Sequence, residues 1–443
     1  MEIQIKKFGK IGSANINLDG LSVIIGKNDS GKSTIGKCIY ALKKSLIAYP
    51  SVYNVIHKLD VYTPLQEIIP RLKIYVNDYN KKELDEQIAS LQNSIFDANY
   101  SFDDWFSNMN RIVKPWTNSI NAIKYDDKNR QDLFIMKSKI DEIEKKFFVE
   151  DDLKKLESCM NKLFFNDIFC MNLNNSMHNN DISKVKLLTN NRIIVSFSVK
   201  NNIISVNKET DIPSFSDGFN DVVFIDTPLI IEDETINVKN SLYHNELRDK
   251  LFVDNKNNTN IYDNSEVLKL FNGIIKGEFI KNPNNKNRLS YKVSENASEL
   301  NLKNIAMGSK VLGILYLLLK NGQININTLV ILDEPENHLH PSWLIKLAEI
   351  LCLMVSKGFR ILLTTHNPDF VKALHYYSDK YHLNNSKSSH FYLCKEPKDN
   401  YTEIEEKTDK MNEIYDNLTS DISEIFFKSI QNQLKGIKNT DDK

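Results

Sequence analysis

The sequence predicts an α/β fold in which buried parallel strands end in polar turns, accompanied by an antiparallel β-subdomain and interrupted by a helical insertion. Three segments carry that prediction: Leu21-Ser-Val-Ile-Ile25 running into Gly26-Lys-Asn-Asp-Ser-Gly-Lys-Ser-Thr34, then Thr328-Leu-Val-Ile-Leu-Asp-Glu-Pro-Glu336, then Phe359-Arg-Ile-Leu-Leu-Thr-Thr-His366. Each is a short apolar run that meets a polar tip. That is the pattern of a strand buried on both faces, with its chemistry at the C-terminal end.

Met1-Glu-Ile-Gln-Ile-Lys-Lys-Phe8 alternates as a first strand does and contains no apolar signal core, which predicts a cytoplasmic protein. The longest apolar stretch, Val311 to Leu319, lies between Lys310 and Lys320. It falls far short of the roughly 20 residues a bilayer span needs, so no membrane association is expected. Five cysteines (Cys38, Cys159, Cys170, Cys352, Cys394) form no CxxC pair, which argues against a zinc site and a disulfide framework. With 57 Lys and Arg against 58 Asp and Glu, any nucleic-acid contact must come from a local basic patch.

Gly26 to Thr34 has the complete spacing of a P-loop. Such a turn curls its amides around phosphate oxygens. Gly26 and Gly31 stand where a Cβ would obstruct the curl, and Lys27, Asn28, Asp29 and Ser30 complete it. Lys32 is expected to reach the β- and γ-phosphates, Ser33 to bind Mg²⁺, and Thr34 to lie near the α-phosphate. The following helix offers its N-terminus to the same anion, so ATP with Mg²⁺ is the expected ligand.

Helical periodicity dominates the next stretch. Leu84, Ile88, Leu91 and Ile95, then Ile140, Ile143 and Phe147, then Leu153, Leu156, Met160 and Leu163 recur at three- and four-residue intervals. Two or three heptads are too few for a long coiled-coil arm, so a compact helical lobe over 48–187 is expected. After it, Ile193 to Val199 and Ile203 to Ser205 flank Asn201-Asn202 as a β-hairpin. Val222-Val-Phe-Ile-Asp226 reads as another strand with Asp226 and Thr227 at its tip. Asp254–Asn264 and Lys281–Asn287 are Asn- and Lys-rich and are predicted as loops, with Lys281, Lys286 and Arg288 a small solvated basic cluster. Leu289/Tyr291/Val293 and Leu300/Leu302 alternate as short strands before the apolar helix from Val311.

Asp333 and Glu334 close a Walker B strand. Asp333 is expected to hold the Mg²⁺ hydration shell opposite Ser33, and Glu334 to act as general base on the water attacking the γ-phosphate. Leu344 to Val355 supplies one helix before the next strand, whose tip carries His366. His338 and His340, two residues apart on an irregular loop without a third ligand, make a poor metal site.

Strand-Thr-His366 following Asp333-Glu334 resembles the heads of ABC-type ATPases, in the branch that includes SMC, RecF and OLD-like proteins. The Glu336-Asn-His-Leu-His-Pro341 loop is similar to the RecF and OLD-like version. The resemblance spans most of 1–48 and 186–400, and implies that His366 contacts the γ-phosphate and that two heads pair head-to-tail as a homodimer. It also implies a signature turn that touches the partner's nucleotide, for which Asn304-Ile-Ala-Met-Gly-Ser-Lys310 has the right context. The family usually has Ser-Gly where this chain has Met307-Gly308, and a methionine cannot donate the serine's hydrogen bond. Gly308 and Ser309, the latter also a helix cap, are the compensating candidates. ATP turnover is therefore expected to be slow.

These readings divide the chain into 1–47 (ATPase head with P-loop), 48–187 (helical insertion), 188–400 (remainder of the head) and 401–443 (helical tail). In the tail, Ile414, Leu418, Ile422, Ile425 and Phe426 predict a helix packed on the head, and the OLD-type Toprim nuclease domain is not expected. The resemblance implies an ATP-hydrolysing switch that acts on DNA or on a separately encoded nuclease or other effector, as anti-phage defence ATPases do. The alternatives are a non-hydrolysing ATP-sensing scaffold and a transporter ATPase subunit.

Overall fold

The computed structural model describes residues 1–74, 78–95, 97, 104–112, 115, 130–147, 152–161, 165–170, 172–174, 181–211, 218–232, 242–252, 265–282, 285–294, 296–395 and 397–438. The chain divides into two compact units, Met1–Lys44 with Phe164–Lys443, and Ser45–Leu163.

The first unit is built on an eleven-stranded sheet of order β6-β5-β4-β1-β2-β14-β13-β3-β12-β11-β7. Its antiparallel part comprises β1 (Glu2–Phe8), β2 (Ile11–Asn17), β4 (Ser183–Thr189), β5 (Arg192–Lys200) and β6 (Ile203–Val206). Asn201 and Asn202 both have positive φ, the conformation a two-residue hairpin turn needs and asparagine tolerates. The parallel part comprises β13 (Ser389–Cys394), β3 (Leu21–Ile25), β12 (Arg360–Thr365), β11 (Thr328–Asp333) and β7 (Asp221–Ile225). Nearly every residue of these strands is buried, as a sheet covered on both faces requires. β14 (Thr402–Glu406) joins the two parts, parallel to β2 and antiparallel to β13.

Helix α1 (Lys32–Leu72) leaves β3. In the second unit, α2 (Asp78–Asn93), the helical residues 104–112, α3 (Arg130–Phe147) and α4 (Asp152–Cys159) accompany its later turns. Val61, Leu65, Leu91, Ile95, Trp105 and Met136 form a core of that unit's own. Leu84, Leu156 and Met160 are also buried, whereas the side chains of Ile140, Ile143, Phe147 and Leu163 lie outside the described residues.

The first unit continues with α5 (Phe165–Phe169), α6 (Leu242–Phe252), α7 (Ser265–Asn272) and α8 (Met307–Lys320). Helices α9 (Pro341–Ser356), α10 (Pro368–Lys380) and α11 (Met411–Lys438) complete it. A second sheet of β8 (Glu278–Asn282), β9 (Asn285–Lys292) and β10 (Leu300–Asn301) seats Phe279 in the core with α8.

Several boundaries differ from the sequence reading. The helical unit spans Ser45–Leu163, not 48–187, because β4 pairs with β1 and so belongs to the main sheet. Residues 401–443 are not a purely helical tail, since Thr402 and Ile404 are buried as part of β14. Lys281–Asn287 is largely strand, its register set by β8–β9 pairing that local composition does not show. The side chains of Lys281, Lys286 and Arg288, and all of Asp254–Asn264, lie outside the described residues. On α11, Ile414 is buried and Leu418 packs on the core, but Ile425 is 69% exposed. The apolar stripe therefore stops covering the head after Leu418 among the described side chains, Ile422 and Phe426 lying outside them. Among the described residues, no helix is long and apolar enough to cross a membrane.

Candidate functional site

The P-loop is fixed to the sheet at its first residue. Gly26 N–H donates to Thr365 O at 3.2 Å, and a Cβ at Gly26 would stand 2.6 Å from that of Cys394. Asp29 and Gly31 take positive φ, so the chain folds back before α1 begins at Lys32. Lys32 is 4% exposed, with Nζ 2.8 Å from the carbonyl oxygens of Gly26 and Lys27.

β12 stands between the P-loop strand β3 and β11, and the registers Ile25↔Thr365 and Asp333↔Thr364 bring all three polar tips level. Ser33 Oγ donates to Asp333 Oδ1 at 2.9 Å, and Thr364 Oγ1 donates to the same oxygen at 2.5 Å. Glu334 turns back through a positive φ, and its N–H lies 3.1 Å from both Thr364 O and Thr364 Oγ1. Its carboxylate then meets Asn337 Nδ2 at 3.1 Å and Lys32 Nζ at 3.5 Å. His366 Nδ1 is 3.1 Å from Glu334 Oε1, close enough to feel its charge but off the line of a hydrogen bond. Burial would raise the Glu334 pKa. The Asn337 amide and the charges of His366 and Lys32 outweigh it and hold the carboxyl below its usual range.

The structure thus brings Lys32, Ser33, Asp333, Glu334 and His366 together. The first four edge a cavity of about 1150 Å³ lined by Asn28 to Thr34, Asp333 and Glu334, with Phe8 and Phe169 on another wall. Lys27, Gly26 and His366 are not among its lining residues; His366 reaches it through Glu334. Gly308 and Ser309 do not line it either. Both sit in the first turn of α8, where a Cβ on Gly308 would press on Leu339 and His338 O. Ser309 is not the helix cap: Ala306 holds that position and no side chain caps the turn. His340 caps α9, accepting from Ser342 N–H at 3.2 Å, which gives it a structural role in place of metal binding.

Ser33 and Asp333 offer a hydroxyl and a carboxylate facing the cavity, the hard oxygen donors that suit Mg²⁺ when phosphates complete its shell. Among the described residues, no cluster of three or more His, Cys, Asp or Glu is arranged to hold a metal without such help.

Two further groups surround the site. Asp226, at the tip of β7 and one residue beyond the Leu332↔Ile225 pair, lines the cavity and accepts from Tyr243 Oη at 2.6 Å, with His244 Nε2 at 2.9 Å. Glu336 is 4% exposed, takes the Thr365 hydroxyl on Oε1 and leaves Oε2 buried without a partner. Burial, helped by the charge of Glu334, pushes its pKa up to about 7 against the pull of Thr365 and His366. The sequence signalled Asp226 as a polar strand tip on the side where nucleotide chemistry occurs, and Glu336 as the start of a loop. Position within the fold supplies the rest.

A family model described as "AAA domain, putative AbiEii toxin, Type IV TA system" matches residues 188–372, which hold the Walker B strand and the strand tipped by His366. Together with β12 placed between β3 and β11 and with the flanking antiparallel layer, this decides the fold. The chain has the fold of an ABC-type P-loop NTPase head. Solved structures similar to this chain include an Smc head bound to the C-terminal winged-helix domain of ScpA, at 11% identity and a TM-score of 0.39 over 91% of this chain and 96% of that one. Another is the SMC head domain from Thermotoga maritima, at 11% identity and a TM-score of 0.38 over 91% and 97%. No curated protein matches the chain.

Proposed function

We propose that this ATPase head binds ATP with Mg²⁺, hydrolyses it slowly, and closes as a head-to-tail homodimer that governs DNA or a separately encoded effector. The observation that carries the reading is the convergence of Lys32, Ser33, Asp333, Glu334 and His366 from three separate elements around one cavity. The P-loop amides and Lys32 would hold the triphosphate, and Ser33 with Asp333 would hold Mg²⁺, which would supply charge neutralisation to the reacting phosphates. Glu334, ionised and aimed by Asn337, positions and polarises the attacking water. A carboxylate with a lowered pKa is a better orienter than proton acceptor, which suits slow turnover. His366 gives the γ-phosphate a hydrogen-bond donor beside Glu334.

Gly308 and Ser309 lie away from the head's own cavity, which supports their use on a partner's nucleotide. The matching family model describes a toxin of a toxin–antitoxin system, which supports a role in cellular defence such as anti-phage immunity. The protein would then work in the cytoplasm. A second reading, a non-hydrolysing ATP sensor, is favoured by Met307 in the signature turn. Glu334→Gln separates the two. In the hydrolytic reading it abolishes phosphate release and doubles the eluted mass with ATP on size-exclusion chromatography. Wild type that releases no phosphate supports the sensor, and an unchanged mass for the variant refutes ATP-driven pairing.

A further inference from the structure

The phosphate end of the cavity accounts for only part of it. A triphosphate whose γ-end lies at Lys32 and Glu334 and whose α-end lies at Thr34 must send its nucleoside out past Thr34. On that side stands the β1–β2 turn. A Cβ on Gly9 would lie 3.3 Å from Thr34 Cγ2, and one on Gly31 would lie 2.7 Å from Ile11 Cδ1. The wall beyond that turn contains Phe8, Phe169, Asn172 and Leu173.

Phe169 is the half-buried aromatic on this wall. Its ring packs against Phe165 with centroids 5.9 Å apart and planes 19° apart, and meets Phe8 edge-on at 5.5 Å and 86°. Phe8 and Phe165 are fully buried, so the orientation of Phe169 is locked while part of it borders the cavity. The backbone after it is equally constrained. Asn172 N–H donates to Phe169 O at 2.9 Å, and Gly9 N–H to Leu173 O at 3.1 Å. The amides of Leu173 and Asn174 both donate to Asn202 Oδ1, at 2.9 and 2.8 Å. A flat apolar ring, held in place and opening onto the route past Thr34, is a stacking platform prepared before any ligand arrives.

We infer that Phe169 is the base platform of this site: the purine of a bound nucleoside triphosphate stacks on its ring, the sugar passing over Gly9. This rests on the ATP-binding reading above. The platform comes from α5, a five-residue helix on the return from the helical unit, so base recognition is built by residues far in sequence from the P-loop.

The test measures Kd by calorimetry with Mg²⁺ for ATP and for inorganic tripolyphosphate, which has the phosphates without the base. Phe169→Ala is expected to raise Kd for ATP roughly tenfold or more, the scale of one lost base–aromatic stack, and to leave tripolyphosphate within twofold. Phe169→Trp guards against a folding defect. It is expected to keep ATP affinity and to gain an indole fluorescence signal that ATP quenches and tripolyphosphate does not. ATP affinity unchanged in Phe169→Ala, or an equal loss for both ligands, overturns the platform while leaving the P-loop reading standing. Wild type that binds neither ligand overturns both.

Discussion

Glu336 offers the sharpest check on the electrostatics of the site. Its folded pKa of about 7 exceeds the ordinary 4.5, so between those values the folded chain binds the extra proton and stability falls as pH rises. The ionisation of this one group therefore favours unfolding more strongly at pH 8.5 than at pH 5.5, by about 2 kcal/mol. Glu336→Gln keeps the shape of the protonated acid, including an acceptor for the Thr365 hydroxyl, and does not titrate. Urea unfolding of ligand-free wild type and variant across pH 5.5 to 8.5 should therefore show wild type losing about 2 kcal/mol relative to the variant as pH rises. The comparison cancels other titrating groups, with Glu334 and His366 beside Glu336 present in both proteins. Curves that run parallel would refute a carboxyl protonated by burial.

Further outcomes follow from other contacts. Lys32→Ala should abolish measurable ATP binding in calorimetry, because the buried P-loop cation 3.5 Å from Glu334 is removed. Asp333→Asn should weaken ATP binding in the presence of Mg²⁺ far more than in its absence, read as a collapse of the Mg²⁺ dependence of Kd. His366→Ala should cut phosphate release roughly 100-fold with little change in Kd for ATP, the effect of removing one donor to developing charge. Gly313→Ala should lower stability by about 1–3 kcal/mol in thermal melts, since its Cβ would lie 2.2 Å from Phe279 Cζ. Asn202→Ala should cost about 1–3 kcal/mol through the stranded amides of Leu173 and Asn174.

The P-loop, the strand to Asp333 and the strand to His366 were legible because each is a local pattern, an apolar run ending in a fixed polar group. What escaped was set by distant pairing. β4 and β14 are short, and only their partners β1, β2 and β13 identify them as sheet. Helix α1 was harder still to read: Pro50 and Pro64 interrupt its sequence pattern, yet the helix runs on to Leu72. Ser309 resembled a cap because its chemistry is right, but the helix begins two residues earlier. Glu336 stood out only as the first residue of a loop and Phe169 not at all, since one depends on what covers it and the other on which cavity it borders.

The sheet order also sets when the site can exist during synthesis. β3, which ends in the P-loop, lies between β12 and β13, and its register partners run from Ile361 to Thr365 and from Ser389 to Leu393. β14 must still arrive to join that half to β1 and β2. A ribosome therefore makes the phosphate loop long before its two supporting neighbours. The helical unit, whose contacts fall within Ser45–Leu163, can assemble in between. A chain that stops short of β14 therefore lacks the strand that ties the phosphate loop's half of the sheet to β1 and β2.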